Sequence, residues 1–134
     1  MVFLNDNKNH KFSLKKNQRL VNSFLFKETF SQGNKFVGKY MVLWIREAPD
    51  ASLRLGLISS KKMHLHANKR NKARRILREA YRKIRPHLKN KYDVLLISRK
   101  SILTANWRDI FTELIQLLIK ANLMADKDYE KLFH

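Results

Sequence analysis

Cysteine is absent from this sequence, and glycine and acidic residues are scarce. Without cysteine the chain can form no disulfide, no thiolate nucleophile and no cysteine-ligated zinc site. Its 11 Asp and Glu residues are scattered, so no pair of carboxylates is placed for acid–base or metal-assisted hydrolysis. With three glycines in all, the chain also lacks a glycine-rich loop of the kind that cradles nucleotide phosphates. These absences predict that the protein carries no active site of its own.

Two small clusters come nearest to a metal or catalytic site. His64 and His66 are two positions apart, a spacing that brings side chains together only on a strand, and no third ligand lies nearby. A structural or RNA-contacting role is therefore favoured over a metal site. Asp126, Asp128 and Glu130 lie close together near the end of the chain, where a solvated helix end is the favoured interpretation.

Long apolar runs are absent as well. No stretch approaches the length of a membrane span, and the opening MVFLNDNKNHK has too few apolar residues for a signal peptide. We therefore expect a soluble cytoplasmic protein without a membrane partner. At 134 residues and 44% hydrophobic content, it should form one folded domain rather than a disordered basic tail.

Positive charge is what the chain has in excess. Its 29 Lys and Arg residues against 11 acids give a formal net charge of +18. Fourteen of these basic residues and only one acid lie between positions 51 and 92, so the charge is concentrated in the middle third. Such a chain repels itself unless a polyanion is present, which predicts a nucleic-acid partner.

The most basic stretch is KRNKARRILREAYRKIR, residues 69–85. Its apolar residues recur at spacings of three and four, which predicts a helix with one buried face and one cationic face. The single acid in this stretch is Glu79, so the signs do not alternate as they do on an ordinary solvated helix. Charge alone leaves a solvated face open as an alternative, but the lack of alternation favours nucleic acid. The apolar face holds ordinary core residues, which disfavours membrane binding.

The remaining pattern predicts secondary-structure elements in the order α-β-β-α-β-α. They are a helix from about Leu20 that ends at Gly33, a strand from Phe36 to Arg46, a strand from Leu53 to Ser60, the basic helix from about Ala67 to Pro86, a strand from Tyr92 to Ser98, and a helix capped by Asn106. Gly38 is expected to bend or break the first strand, and the second strand to run antiparallel to the first. The third strand is expected at the centre of the sheet, joined to the second by a β-α-β crossover.

We divide the chain into three parts. Residues 1–18 form an extension rich in Asn and Lys that is expected to be flexible, residues 19–124 form the single domain, and residues 125–134 form a tail.

Aromatic residues supply a second indication of nucleic-acid binding. Phe26 and Phe30 lie one helical turn apart, and Trp44 lies in a strand that could run beside that helix. Core packing is one interpretation of each. The other is a platform on which unpaired bases stack, with Lys35 and Lys39 neutralising the accompanying phosphates.

Taken together, these parts resemble the protein component of bacterial ribonuclease P. The similarity covers RLGLISSKK (Arg54–Lys62), RNKARRILREAY (Arg70–Tyr81) and YDVLLISRK (Tyr92–Lys100), and upstream it includes Arg19, Leu20, Phe26, Phe30 and Gly33. The family's signature is an Arg-Asn-Arg motif that opens a helix. Here Arg70 and Asn71 match, and Lys72 stands in place of the second arginine.

The resemblance implies an α/β fold of two layers (α+β), with a small central sheet, an N-terminal helix, a basic crossover helix and a C-terminal helix. It also implies that the β-α-β unit is left-handed, whereas the general rule predicts a right-handed one. The function it implies is that of the protein subunit of a ribonucleoprotein endoribonuclease, which removes the 5′ leader from precursor tRNA. The catalytic groups and most of the bound Mg²⁺ would then belong to the RNA, with one protein for each RNA.

Carried over to this sequence, the resemblance assigns two sets of binding residues. The set expected to contact the catalytic RNA comprises Lys61, Lys62, Lys69, Arg70, Asn71, Lys72, Arg74, Arg75 and Arg78. The set expected to line a cleft for the leader comprises Phe26, Phe30, Lys39 and Trp44. No catalytic or metal-ligating residue is assigned to the protein. Lys72 keeps the charge of arginine but not its two-pronged geometry, and Leu25 occupies a position where relatives often carry an acid.

Two other functions are compatible with parts of this pattern. A ribosomal or general RNA-binding protein would use the same charge without a leader groove lined by aromatic residues. A free-standing nuclease would need clustered acids or histidines, which the sequence does not have.

Overall fold

The computed structural model describes residues 18–20, 23–49 and 53–128. Its main elements are α1 (Ser23–Gln32), β1 (Asn34–Val37), β2 (Met41–Glu47), β3 (Leu53–Ile58), α2 (Ala67–Ile84), β4 (Tyr92–Ser98) and α3 (Trp107–Lys120). Short 3₁₀ turns follow α2, β4 and α3. The predicted N-terminal extension lies outside the described residues except for Gln18, as does the part of the predicted tail beyond Asp128.

The strands form one four-stranded sheet in the order β1-β2-β4-β3. β2 pairs antiparallel with β1 and with β4, whereas β3 pairs parallel with β4. The connection between the two parallel strands contains α2, so the basic helix is the crossover of a β-α-β unit, as predicted. The α/β class and the central position of β4 are confirmed. The hand of the crossover stays a prediction from the resemblance.

Two sequence predictions about the strands need correction. The strand expected from Phe36 to Arg46 is a hairpin of two strands, in which the Gly38 N–H donates to the Met41 carbonyl at 2.8 Å. The strand from Leu53 runs opposite to β2, as expected, but the two are not neighbours because β4 lies between them. The order of the strands depends on which long-range strand pairings bury the most apolar surface. The local sequence pattern does not indicate these pairings.

The two faces of the sheet have different coverings. Toward α2 and α3 the sheet directs its most apolar residues, and these form the main core: Met41, Leu43 and Ile45 of β2, Leu53, Leu55 and Leu57 of β3, and Val94 and Leu96 of β4. Between the sheet and α1 lies a smaller cluster, which comprises Leu20, Phe26, Ile58 and Leu95 and is flanked by Leu25, Phe30, Trp44 and Ile97. The alternation follows from the two-residue period of a strand.

The predicted helix ends agree with the structure except at the start of α1, which begins at Ser23 rather than near Leu20. The Leu20 N–H instead donates to the Leu55 carbonyl oxygen of β3. The Asn106 Oδ1 atom accepts a hydrogen bond from the Asp109 N–H at 2.9 Å and caps α3. Pro86 follows α2 and lies in the 3₁₀ turn that ends it. Gly33 directly follows α1, but not through a left-handed cap, because no glycine in the described residues has a positive φ. A Cβ atom at position 33 would instead lie 2.5 Å from the Ile45 carbonyl oxygen, so glycine permits the close approach of the helix end to β2.

Candidate nucleic-acid interface

The basic residues of α2 are presented to solvent because the helix buries a narrow apolar stripe. That stripe comprises Ala73, Leu77, Ala80, Tyr81 and Ile84. Four members of the predicted RNA-contacting set are exposed, namely Lys69, Asn71, Lys72 and Arg75, and three are half-buried, namely Arg70, Arg74 and Arg78. The structure therefore brings all seven onto one helix whose inner face is held by the core.

Arg70 also has a structural role at the start of α2. Its guanidinium donates to the carbonyl oxygens of His64 at 3.0 Å and Leu65 at 2.8 Å, which joins the preceding loop to the first turn of α2. Arg74 donates to the Asn71 side-chain oxygen. Partial burial and the neighbouring Arg70 lower the pKa of Arg74, which nevertheless remains charged at neutral pH. Part of the Arg-Asn-Lys motif thus orders the helix start itself.

The loop between β3 and α2 extends the basic surface. Lys61 and Lys62 are exposed in its first turn. Desolvation and the neighbouring His66, Lys100, Lys69 and Arg70 lower the pKa of His64. Its Nδ1 atom accepts a hydrogen bond from the His66 N–H at 3.1 Å, so the two rings lie together, 5.2 Å apart, in a turn rather than on a strand.

Two further cations lie beside this loop and were not assigned to the site from the sequence. Arg99 and Lys100 follow β4, and both are exposed. Lys100 lies close enough to the loop to lower the pKa of His64, because β3 and β4 are parallel and their carboxyl ends meet at the same edge of the sheet. The Arg99 guanidinium extends instead to the Gly38 carbonyl oxygen at the tip of the β1–β2 hairpin, to which it donates at 2.8 Å. The buried contact between the Ser59 and Ser98 hydroxyls, at 2.5 Å, joins the two strand ends. The resulting surface, which we call the basic edge, comprises Lys61, Lys62, His64, Arg99 and Lys100.

The aromatic members of the predicted leader-binding set lie on the other face of the sheet, on and beside α1. The Phe30 and Trp44 rings meet edge to face, with centroids 5.2 Å apart and planes at 80°. Lys35 places its Nζ atom over the Trp44 ring, 5.8 Å from the centroid. Both aromatic residues are half-buried, so each presents part of its surface to solvent. This pair has the geometry of a platform on which an unpaired base stacks.

Phe26 does not belong to that exposed platform. Its side chain is completely buried in the smaller cluster under α1. The ring fits there because residue 56 is glycine, since a Cβ at that position would lie 2.8 Å from the Phe26 Cζ atom. Phe26 therefore supports the surface from below, and stacking of a base on its ring would require α1 to move. Equal spacing along a helix placed Phe26 and Phe30 in one predicted set, but the sheet beneath α1 distinguishes them.

Lys39 lies at the tip of the β1–β2 hairpin, apart from the aromatic pair. It is five residues before Trp44, which corresponds to about 15 Å along an extended strand. Val37, whose accessibility is 58%, lies between Lys39 and Trp44 on the face of the sheet that carries Trp44. Lys39 and Trp44 can therefore contact one extended ligand, but not one nucleotide.

The part of the chain that the structure describes offers no protein metal cage and no membrane span. No three His, Asp or Glu side chains within it converge as ligands. None of its helices combines the length and the apolar character needed to traverse a bilayer.

Comparison with known proteins decides the family of this chain. The family model described as Ribonuclease P matches residues 14–122. The chain belongs to the ribonuclease P protein family. The matched range contains every residue of the two predicted binding sets.

Relatives within the ribonuclease P protein family are similar over most of their length. The ribonuclease P protein component of Oceanobacillus iheyensis is 32% identical over 112 residues, which cover 83% of this chain and 92% of the relative. That of Clostridioides difficile is 32% identical over 99 residues, which cover 73% and 86% of the respective chains.

Solved structures of ribonuclease P proteins share the fold. The protein from Thermotoga maritima superposes with a TM-score of 0.64 at 26% identity, over 75% of this chain and 94% of that one. The Staphylococcus aureus protein gives a TM-score of 0.71 at 23% identity, over 80% and 97%. The arrangement of α1, the sheet and α2 in this ribonuclease P family member is therefore that of its solved relatives.

Glu113, a residue that sequence reasoning did not assign, holds the hairpin of this ribonuclease P family member in place. Its carboxylate extends from α3 and accepts hydrogen bonds from three backbone N–H groups of the hairpin tip: Lys39 at 3.0 Å, Tyr40 at 2.9 Å and Met41 at 3.2 Å. On the other side, Arg99 and Ser101 donate to the carbonyls of Gly38 and Lys39. No local signal marks Glu113, because its partners lie more than 70 residues earlier in the chain.

We expect Glu113→Gln to destabilise the protein by about 1–3 kcal/mol, because an amide removes the charge and directs a donor toward the N–H groups. Urea unfolding followed by circular dichroism measures this change. Glu28→Gln, an acid on α1, is the matched control, with an expected change below about 0.5 kcal/mol. Equal stabilities of the two variants would contradict the role given to Glu113.

Proposed function

We propose that this chain is the protein subunit of a bacterial ribonuclease P ribonucleoprotein. It binds the catalytic RNA and the 5′ leader of precursor tRNA, and it assists the Mg²⁺-dependent removal of that leader. Membership of the ribonuclease P protein family supports a role in tRNA processing as part of a ribonucleoprotein. The observation that carries the RNA-binding part of the proposal is the cationic outer face of α2, which is held rigidly on the sheet.

The catalytic RNA contacts α2 and the loop before it in this proposal. Lys69, Lys72 and Arg75 are exposed and have no acidic neighbour closer in the helix than Glu79. The Glu79 carboxylate is itself occupied by Arg82 at 2.7 Å, so it does not neutralise these three cations. A helix that presents unpaired cations along its axis suits a phosphate backbone, and the strength of such binding depends steeply on salt.

The leader lies across the opposite face of the sheet in this proposal. Trp44 and Phe30 offer a stacking surface, Lys35 neutralises charge beside it, and Lys39 receives a later phosphate at the hairpin tip. The sheet separates this face from α2. One protein can therefore contact the catalytic RNA and the precursor at the same time, which fits a complex with one protein for each RNA.

The chemistry belongs to the RNA in this proposal, and the RNA holds the Mg²⁺ ions that activate the attacking water. The protein contributes cations that reduce repulsion between phosphates, so it lowers the Mg²⁺ concentration that the RNA requires. A cytoplasmic location follows from this role in tRNA maturation.

Cleavage of precursor tRNA by a bacterial ribonuclease P RNA at low Mg²⁺, with and without this protein, tests the proposal. We expect cleavage at the mature 5′ end only when both are present, and we expect the RNA alone to regain activity when Mg²⁺ is raised. Cleavage by the protein alone would locate a nuclease site in the chain. Tight RNA binding without any gain in cleavage would favour a ribosomal or general RNA-binding function instead.

A further inference from the structure

Trp107, the first residue of α3, presents an aromatic surface far from the leader-binding face. Its accessibility is 40%, although tryptophan is usually well buried. The indole lies nearly parallel to the Phe111 ring, with centroids 5.7 Å apart and planes at 17°. Phe111 is only 5% exposed, so it supports the indole from the core side. The open part of the indole is therefore the side away from Phe111.

One cation lies over the indole, and a second follows it in the sequence. The Lys83 Nζ atom lies over the indole, 5.5 Å from its centroid, and Lys83 itself is exposed in the last turn of α2. Arg108 follows Trp107 directly and is also exposed. The one acid in the first turn of α3 is Asp109, which lies beyond Arg108. The surroundings of the indole are thus positively charged rather than apolar.

Lys83 connects Trp107 to the RNA-contacting part of α2. It is 11 residues beyond Lys72, close to three full turns, so the two lysines lie on the same side of the helix about 16 Å apart. Half-buried Ile76 and Glu79 lie on that side between them, and the Glu79 carboxylate pairs with the Arg82 guanidinium at 2.7 Å. A strand of RNA that follows this side of α2 from Lys72 reaches the indole at its end.

We propose that Trp107 and Lys83 form a second stacking site, which takes an unpaired base of the catalytic RNA. The base stacks on the open side of the indole, and the Lys83 ammonium moves from the ring to the phosphate of that nucleotide. This inference rests on the proposed function, in which α2 binds the catalytic RNA. The leader is not the ligand, because Trp107 lies on the α2–α3 side of the sheet and the Trp44 platform lies on the other.

The two tryptophans of the chain allow the sites to be observed separately. Trp44→Phe leaves Trp107 as the only indole, and Trp107→Phe leaves Trp44. Each variant is titrated with a bacterial ribonuclease P RNA transcript without precursor tRNA, and separately with a short single-stranded RNA of leader length. Filter retention of labelled RNA measures binding independently of fluorescence. We expect the catalytic RNA to quench Trp107 emission, and the short RNA to quench Trp44 and not Trp107.

The affinity for RNA and its dependence on salt distinguish a contribution from base stacking from one of charge or of protein packing. We expect Trp107→Ala to weaken binding of the catalytic RNA about tenfold with an unchanged slope of log Kd against log salt, and Trp107→Phe to retain most of the affinity. Lys83→Ala should reduce that slope by about one unit. Thermal melts of each variant identify a temperature at which all remain folded, and binding is compared there.

The outcomes distinguish this inference from the function on which it rests. Retention of the RNA with unchanged Trp107 emission, or with full affinity in Trp107→Ala, would overturn the second stacking site and leave the proposed function intact. Quenching of Trp107 by the short RNA alone would assign the indole to the leader and overturn the inference as well. Failure of the wild-type chain to retain the catalytic RNA would instead contradict the proposed function.

Discussion

Replacing Lys69, Lys72 and Arg75 together by alanine should weaken binding of the catalytic RNA by about 10²- to 10³-fold at 0.1 M salt. All three side chains are exposed on α2, and all lie outside its buried stripe. Each cation that meets a phosphate releases about 0.7–0.9 counterion, so the slope of log affinity against log salt should fall by about two to three units. Filter binding at several salt concentrations measures both quantities.

The control for this variant removes the same charge elsewhere. Lys89, Lys120 and Lys127 are exposed and lie away from the start of α2 and from the basic edge. Their triple alanine variant should lose less than about fivefold in affinity, since it changes the net charge but no proposed contact. Equal losses in the two triple variants would mean that net charge, and not the face of α2, determines binding. Circular dichroism is expected to show both variants folded.

Asp93→Asn should destabilise the protein by about 3–5 kcal/mol, a large part of the stability of a small domain. The Asp93 carboxylate is fully buried and accepts hydrogen bonds from two arginines, Arg46 at 2.6 Å and Arg54 at 2.6 and 2.9 Å. An asparagine keeps the shape but leaves two guanidinium groups, each less than one fifth exposed, without a counter-charge. Urea unfolding at neutral pH measures the loss.

Two further variants make this prediction specific. Glu79→Gln breaks the more exposed pair with Arg82 and should cost only about 0.2–1 kcal/mol. Replacing Arg46 and Arg54 by methionine and Asp93 by leucine removes all three charges, and this variant should be more stable than Asp93→Asn, because apolar groups of similar volume avoid the desolvation cost. If Asp93→Asn lost no more stability than Glu79→Gln, the buried network would not stabilise the fold.

The role of Asp93 could not be predicted from the sequence. The run YDVLLIS correctly predicted a central strand, because apolar residues dominate it and both of its faces are covered. The same run did not indicate why it contains one acidic residue, Asp93. The partners of Asp93 lie 47 and 39 residues earlier, on β2 and β3, and they meet the carboxylate only because β4 lies between those two strands.

Of the two predicted binding sets, the one on α2 could be predicted from the sequence and the leader-binding one could not. The cationic face of α2 was predictable, since helical spacing alone decides which of its residues are buried. The leader set was not, because Phe26 and Phe30 have equivalent spacing and only the packing of α1 on the sheet, over Gly56 and Leu95, buries Phe26. Arg99 and Lys100 were likewise recognisable as basic. The place of Lys100 beside the loop before α2 follows from the parallel pairing of β3 and β4, and the contact of Arg99 with Gly38 follows from the pairing of β4 with β2.

The sequence by itself determined the elements whose causes are local. Apolar residues at spacings of three and four, Asn106 as a cap and Pro86 as a stop define α2 and α3, and the combination of motifs identifies the ribonuclease P protein family. The tertiary structure alone decided the strand order, the hydrogen bonds from the tip of the β1–β2 hairpin to Glu113, and the exposure of Trp107 beside Lys83. Each of these depends on residues far apart in the chain, and whether such residues meet is settled by how the whole core packs, which no local pattern records.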